Sequence, residues 1–135
     1  MTALTANRNT PARDSKQFSF PVAASTKIYQ GSLVCINASS LAVPGSVATT
    51  QKCVGRADEI ADNSAGLASA INVPVSRGCF RFGNSASTDA IALKDVGASC
   101  YIVDDQTVAK TDGTGARSIA GVIRDVDADG VWVEI

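Results

Sequence analysis

The chain has 135 residues, with 12 basic and 13 acidic side chains, a net charge of −1 and no histidine. That length suits a single domain able to bury its own core, and the charge balance argues against a general nucleic-acid footprint or attraction to anionic lipid. Valine and isoleucine number 23 against 5 leucines, and 11 glycines punctuate the chain, so strands and turns are favoured and the fold is expected to be all-β.

Residues 1–16 are polar apart from Leu4, have no hydrophobic period, and carry Arg8, Arg13 and Lys16 against Asp14. Such a segment is either a disordered tail or an extended arm that orders on a neighbouring subunit. The expected organisation is this arm followed by one β domain over residues 17–135. The N-terminus does not read as a signal peptide, and no apolar run is long enough to span a bilayer, so synthesis in a reducing cytoplasm is expected.

Strand signals begin at Phe18. FSFPVA places Pro21 at an edge or bulge, and KIYQGSLVCIN turns at Gly31 into the apolar run Leu33, Val34, Cys35, Ile36. SLAVPGSVATTQKCVGRADEI turns at Pro44 and Gly45 and returns as a strand over residues 53–57. DNSAGLASA is the strongest breaker in the chain, and its tail could hold a helical turn. INVPVSRGCFRFGN then reads as a hairpin turned at Arg77 and Gly78. Phe18 with Phe20, and Phe80 with Phe82, alternate as residues filling a β core do.

The chain closes on RSIAGVIRDVDADGVWVEI. A two-residue turn at Asp129 and Gly130 would pair Val126 with Val133 and put Ala120, Val122, Val126, Val131, Val133 and Ile135 on one buried face. Ile123 and Trp132 would then lie on the other face among Asp125, Asp127 and Glu134, a surface suited to a partner. The final strand is expected to tie the C-terminus into the sheet.

Sliding the chain on itself by 66 residues sets GSLVCI (31–36) on GASCYI (97–102) and Val54-Gly55 on Ala120-Gly121. This echo predicts two related strand groups packed as sheets of one sandwich or barrel.

Cys35, Cys53, Cys79 and Cys100 lie far apart, with no Cys-x-x-Cys pair, and read as small buried hydrophobes rather than metal ligands. Asp125, Asp127, Asp129 and Gly130 match the start of an EF-hand loop, but its twelfth position would fall at residue 136, and alternating segments flank it. Residues 112–118 suggest a phosphate loop, yet lack the Gly-Lys-Ser/Thr ending and a following helix, and are better read as a hairpin turn. Without histidine, a serine or cysteine nucleophile lacks its commonest base, and neither catalysis nor a cofactor is expected.

Taken together, FSFPVAASTKIYQGSLVCIN, VGRADEIADNSAG, VPVSRGCFRFGNS and TVAKTDGTGARSIAGVIRDVDADGVWVEI resemble the structural cement, or capsid decoration, proteins of tailed bacteriophages. The resemblance runs from about residue 8 to the C-terminus. It implies a non-enzymatic β-barrel or jelly-roll-like domain on the virion exterior, bound to the major capsid protein as a homo-oligomer, dimer or trimer, with no nucleic acid or membrane contact. The expected contact residues are Asn7, Arg8, Pro11, Arg13 and Lys16 of the arm, with Ile123 and Trp132 of the last hairpin. The alternative is a ligand- or carbohydrate-binding β module whose site is formed by the loops at 62–69 and 112–116, although those loops carry no aromatic side chain. A hydrolase would need a carboxylate cluster that the chain does not present.

Overall fold

A computed structural model of the chain describes residues 2–135. Residues 2–16 contain no helix or strand. Twelve strands follow: β1 (Gln17–Pro21), β2 (Thr26–Ile28), β3 (Leu33–Ile36), β4 (Ala42–Pro44), β5 (Lys52–Ala57), β6 (Ala61–Asn63), β7 (Asn72–Ser76), β8 (Cys79–Asn84), β9 (Ser99–Ile102), β10 (Thr107–Ala109), β11 (Ile119–Asp127) and β12 (Gly130–Glu134). Two single-turn 3-10 segments, Ser87–Asp89 and Leu93–Asp95, lie between β8 and β9. The chain is therefore all-β, as its composition implies.

Ten strands build two units. The first is a five-stranded sheet of order β1-β7-β5-β3-β4, and the second a closed five-stranded barrel of order β8-β12-β11-β9-β10, sealed by parallel pairing of β10 with β8. The remaining strands, β2 and β6, form a two-stranded antiparallel ribbon.

The two units are the same arrangement at the level of residue pairs. In β3–β5, Val34 faces Gly55 and Cys35 faces Cys53; 66 residues on, Cys100 faces Gly121 and Tyr101 faces Ile119 in β9–β11. Both ladders skip one residue at the same step, Val54 in the first unit and Ala120 in the second. The neighbouring hairpins keep the offset, Cys35 facing Val43 and Tyr101 facing Ala109. Gly31 N donates to Ala57 O at 2.9 Å, and Gly97 N to Ile123 O at 2.8 Å. Both glycines hold a positive φ, 87° and 93°, which a side chain disfavours.

The match extends beyond the echo visible in the sequence. Val75 lies between Ala57 and Phe18 across the first unit, as Val133 lies between Ile123 and Phe80 across the second. The FSF of β1 therefore corresponds to the FRF of β8. Even the closing contact has a counterpart, because the parallel pair Val108 and Asn84 is matched by a parallel bridge between Val22 and Ala42. The echo predicted two sheets of one sandwich or barrel; each strand group instead curls on itself.

That closure corrects two expected hairpins. β7 and β8 do not pair: β7 is the last strand of the first unit and β8 the first of the second, with Arg77 and Gly78 as the link. The loop at 112–116 joins β10 to β11, which flank β9 rather than each other. Alternation fixes which face a residue takes, whereas the partner strand is chosen by closing each unit. The breaker segment also differs, since it opens with β6 and holds no helical turn.

The last hairpin forms in another register. Asp127 faces Gly130, so Ala128 and Asp129 make the turn, and Val126 faces Val131 rather than Val133. The Asp127 carboxylate sets this turn by accepting from Asp129 N at 2.8 Å and Gly130 N at 3.1 Å. Gly130 serves a close approach instead, because a Cβ there would lie 2.3 Å from the Phe82 carbonyl oxygen. A bulge at Arg124 then shifts the face parity along β11.

Two apolar clusters fill the molecule. One gathers Val22, Val34, Ala42, Ala57, Val73 and Val75 of the first unit with Ile28 and Ala61 of the β2–β6 ribbon. The other gathers the second unit's interior, including Cys100, Ile102, Val108, Ile123, Val131 and Val133, and also takes Leu33 and Cys35 from β3. β3 thus serves both units, because its alternating residues face opposite ways. Polar contacts fasten the same seam: Leu33 N donates to Asp105 O at 2.8 Å, Gln51 N to Ser118 Oγ at 3.2 Å, and Ser118 Oγ to Ala48 O at 2.5 Å.

A Cβ at Gly55 would stand 2.3 Å from Ser76 O, and one at Gly121 2.3 Å from Glu134 O. Both contacts are with backbone, which cannot swing aside. Gly55→Ala and Gly121→Ala are each expected to destabilise the fold by about 2–3 kcal/mol. Gly115→Ala, in open space at φ 80°, should cost only about 1 kcal/mol. Urea midpoints at unchanged slope check the ranking, and equal losses at all three positions would contradict the close-approach account.

Candidate functional site

The arm and its root come first. Residues 2–16 are exposed, and among the described residues no hydrogen bond or ion pair ties the side chains of Asn7, Arg8 or Pro11 to the two units. Contacts begin at Arg13, whose guanidinium sits 4.4 Å from the Phe18 ring centroid. Asp14 Oδ1 accepts from Lys16 N at 2.9 Å, and Lys16 O accepts from Arg77 N at 2.7 Å. The last bond extends the β1–β7 ladder by one step and fixes the direction in which the arm leaves. Phe18 stacks on Phe20 with centroids 6.1 Å apart.

Beside this root lies a cleft of about 950 Å³ lined by Phe18, Phe20, Cys53, Tyr101, Ile119 and Ile135 among others. Both units contribute to it, and the Asp112 to Gly115 turn forms part of its rim. Ile119 is 54 % exposed there. Neither the cleft nor its aromatic wall is apparent in the linear sequence, since its residues come from β1, β5, β9, β11, the end of β12 and the loops between strands. The only advance sign is the alternation of Phe18 with Phe20, which leaves a stacked pair on one strand face.

Ile123 and Trp132 are not brought together. Ile123 is 1 % exposed inside the second unit's core, so the expectation that it contributes to an interface is corrected. The bulge at Arg124 puts Ile123 opposite Val133 on the inside and Trp132 opposite Asp125 on the outside. Trp132 is half-buried on the surface. Its Nε1 donates to Asp127 Oδ2 at 2.8 Å, and Arg81 lies 5.8 Å from its ring centroid.

The acidic hairpin does not converge on a cation. Asp125 Oδ1 accepts from Val126 N, Asp127 holds the turn and the indole, and Asp129 pairs with Arg81 at 3.5 Å. No group of three or more metal-ligating side chains occurs among the described residues. At the turn that suggested a phosphate loop, Asp112 O accepts from both Ala116 N and Arg117 N, and Arg117 pairs with Asp89 at 3.2 Å.

The cysteines divide. Cys35 and Cys100 are buried, Cys53 is half-buried and Cys79 is exposed, and all four are free thiols. Cys79 departs from the buried reading because it opens β8 at the chain's crossing between units. Burial pushes the Cys100 thiol up to about 12.

Compared with known proteins, the chain matches no family model, no curated protein and no solved structure.

The Trp132 indole N–H, followed by the Asp129 backbone N–H, holds the Asp127 carboxyl below its ordinary 3.8. A depressed carboxyl contributes its stabilisation above the ordinary value and loses it as pH falls through the folded value. The single tryptophan makes this visible. Acid titration below pH 3.8 is expected to change Trp132 fluorescence, and Asp127→Asn to abolish that step. A step that persists in the variant would place its origin elsewhere.

Proposed function

We propose that the protein is a structural cement protein of a tailed-phage capsid, binding the major capsid protein on the shell exterior and holding neighbouring capsomers together as a homo-oligomer. The observation that carries this reading is an exposed arm, residues 2–16, rooted at Arg13 to Lys16 on a body of two cross-fastened β units. An exposed segment without regular structure is free to order on a partner surface, and a hydrogen-bonded body transmits load between the partners it touches. Among the described residues the Arg8 side chain makes no ion pair or cation–π contact, while Trp132 offers a rigid amphipathic plate on another face. No reaction step is assigned to any residue.

A second reading draws on one specific observation. The cleft between the units is lined by Phe18, Phe20 and Tyr101, with the Asp112 to Gly115 turn at its rim, and aromatic walls of this kind suit a sugar ring or another flat ligand. The 62–69 loop lies outside it, so a ligand module would be centred on this cleft rather than on both loops.

Mixing the full chain with expanded, undecorated tailed-phage shells and imaging them by cryo-electron microscopy separates the two readings. Regular added density at two-fold or three-fold positions is expected, with the arm resolved on a neighbour. Removing residues 2–12, which leaves the Arg13 to Lys16 root in place, should lower shell occupancy about tenfold or more without changing the unfolding midpoint. Bare shells over a panel of phages, together with saturable binding on a glycan array, would replace the cement reading with the ligand one.

A further inference from the structure

Cys35 and Cys53 are 18 positions apart in sequence yet directly opposite each other on β3 and β5. Residues so placed in an antiparallel pair have Cα atoms about 4.5 or 5.5 Å apart, and both separations fall within the roughly 4.4–6.8 Å that a disulfide spans. Both side chains belong to the same apolar cluster, Cys35 within it and Cys53 packed against it, so they lie on one face of the sheet. Access is unequal: Cys35 has no exposed surface, whereas Cys53 lines the cleft.

The internal repeat adds a comparison. The equivalent cross-strand pair in the second unit is Tyr101 and Ile119, an aromatic and a β-branched residue that pack well on a pleated sheet. The fold therefore accepts an ordinary packing pair at this step, and nothing in the strand geometry requires two thiols there.

We propose that Cys35 and Cys53 are an intramolecular disulfide site, closed by small-molecule disulfides that enter the cleft and react first at Cys53. The Cys53 thiolate attacks one sulfur of a disulfide of the glutathione class, forming a mixed disulfide and releasing one small thiol. Cys35 then loses its proton to solvent and attacks the Cys53 sulfur, expelling the second small thiolate, which is protonated. Two protein thiols become one disulfide and the small disulfide becomes two thiols, so two electrons pass from the protein to the oxidant. The order follows from access, since only Cys53 can be reached from the cleft.

A hydrogen bond with Cys53, and then burial, hold the Cys35 thiol well above its ordinary range. Once Cys53 carries the mixed disulfide its hydrogen bond to Cys35 is gone, but burial still holds the Cys35 thiol up, so the second step accelerates as pH rises. A reducing cytoplasm keeps the pair open, and an oxidising exterior closes it. The bond would join β3, which serves both cores, to β5 and tighten the first unit. This site stands whether or not the protein binds a capsid.

Incubation of the full chain in oxidised glutathione, followed by alkylation and tryptic mapping without reductant, tests it. Cleavage after Lys27, Lys52 and Arg56 puts Cys35 in peptide 28–52 and Cys53 in peptide 53–56. The two peptides are expected to be linked, with loss of two hydrogens, in the natural chain and in a variant carrying Cys79→Ser and Cys100→Ser. Closure should be faster at alkaline pH and should raise the unfolding temperature by several degrees. Cys53→Ser, at a half-buried position, should abolish both effects. Peptides that remain separately alkylated, a reaction that stops at the Cys53 mixed disulfide, or a link from Cys53 to Cys100 would each overturn the assignment.

Discussion

Each unit depends on one close approach of two backbones. At Gly55 and again at Gly121, a strand presses so near the carbonyl of its neighbour that no side chain fits between them. Beside each glycine the ladder skips a residue, Val54 or Ala120, and such a bulge bends and twists the strand that carries it. Glycine and bulge together curl five short strands tightly enough for the outer pair to meet. Where they meet, the second unit makes a two-residue parallel ladder and the first a single bridge. The interior left by that curvature is filled mostly by valine, alanine, cysteine and isoleucine, with Leu33 and Phe82 added in the second cluster.

Much of this was legible in the amino-acid order. The β-branched composition, the turn glycines and the alternating phenylalanines identify an all-β fold, and the 66-residue echo locates the central strands of both units residue for residue. The outer strands escape that echo because their spacing differs, with Phe18 matching Phe80 at 62 residues and Val75 matching Val133 at 58. The first unit inserts β6 and its loop before β7, whereas the second turns directly from β11 into β12. Ile123 was placed on the wrong face because a bulge leaves no mark in an alternating run, and Arg124 looks like any exposed strand residue. The 112–116 loop was recognised as a turn, but the strands it would separate were not. The cleft and the cysteine pair were hidden for a common reason, that their residues become neighbours only when separate strands are laid side by side.

The seam between the units combines two kinds of contact that respond differently to change. Leu33 and Cys35 bury apolar surface in the second core, a non-directional contribution. The bonds among Leu33, Asp105, Gln51, Ser118 and Ala48 are directional and fix how one unit is rotated on the other. A cleft walled by both units keeps its shape only while that rotation is held. The arm stands outside this arrangement, being joined to it at a single rooted end.

Because all strands of the first unit come from residues 17–76, and β8 begins only at Cys79, the order of synthesis has a structural counterpart. The nascent chain contains every partner the first sheet needs once Ser76 has left the ribosome, before any of the second barrel has emerged. Leu33 and Cys35 then present an uncovered apolar strip until β9 to β12 arrive. The half-finished protein therefore carries a template for its other half, and it is during translation, rather than in the finished fold, that this chain is most open to wrong partners.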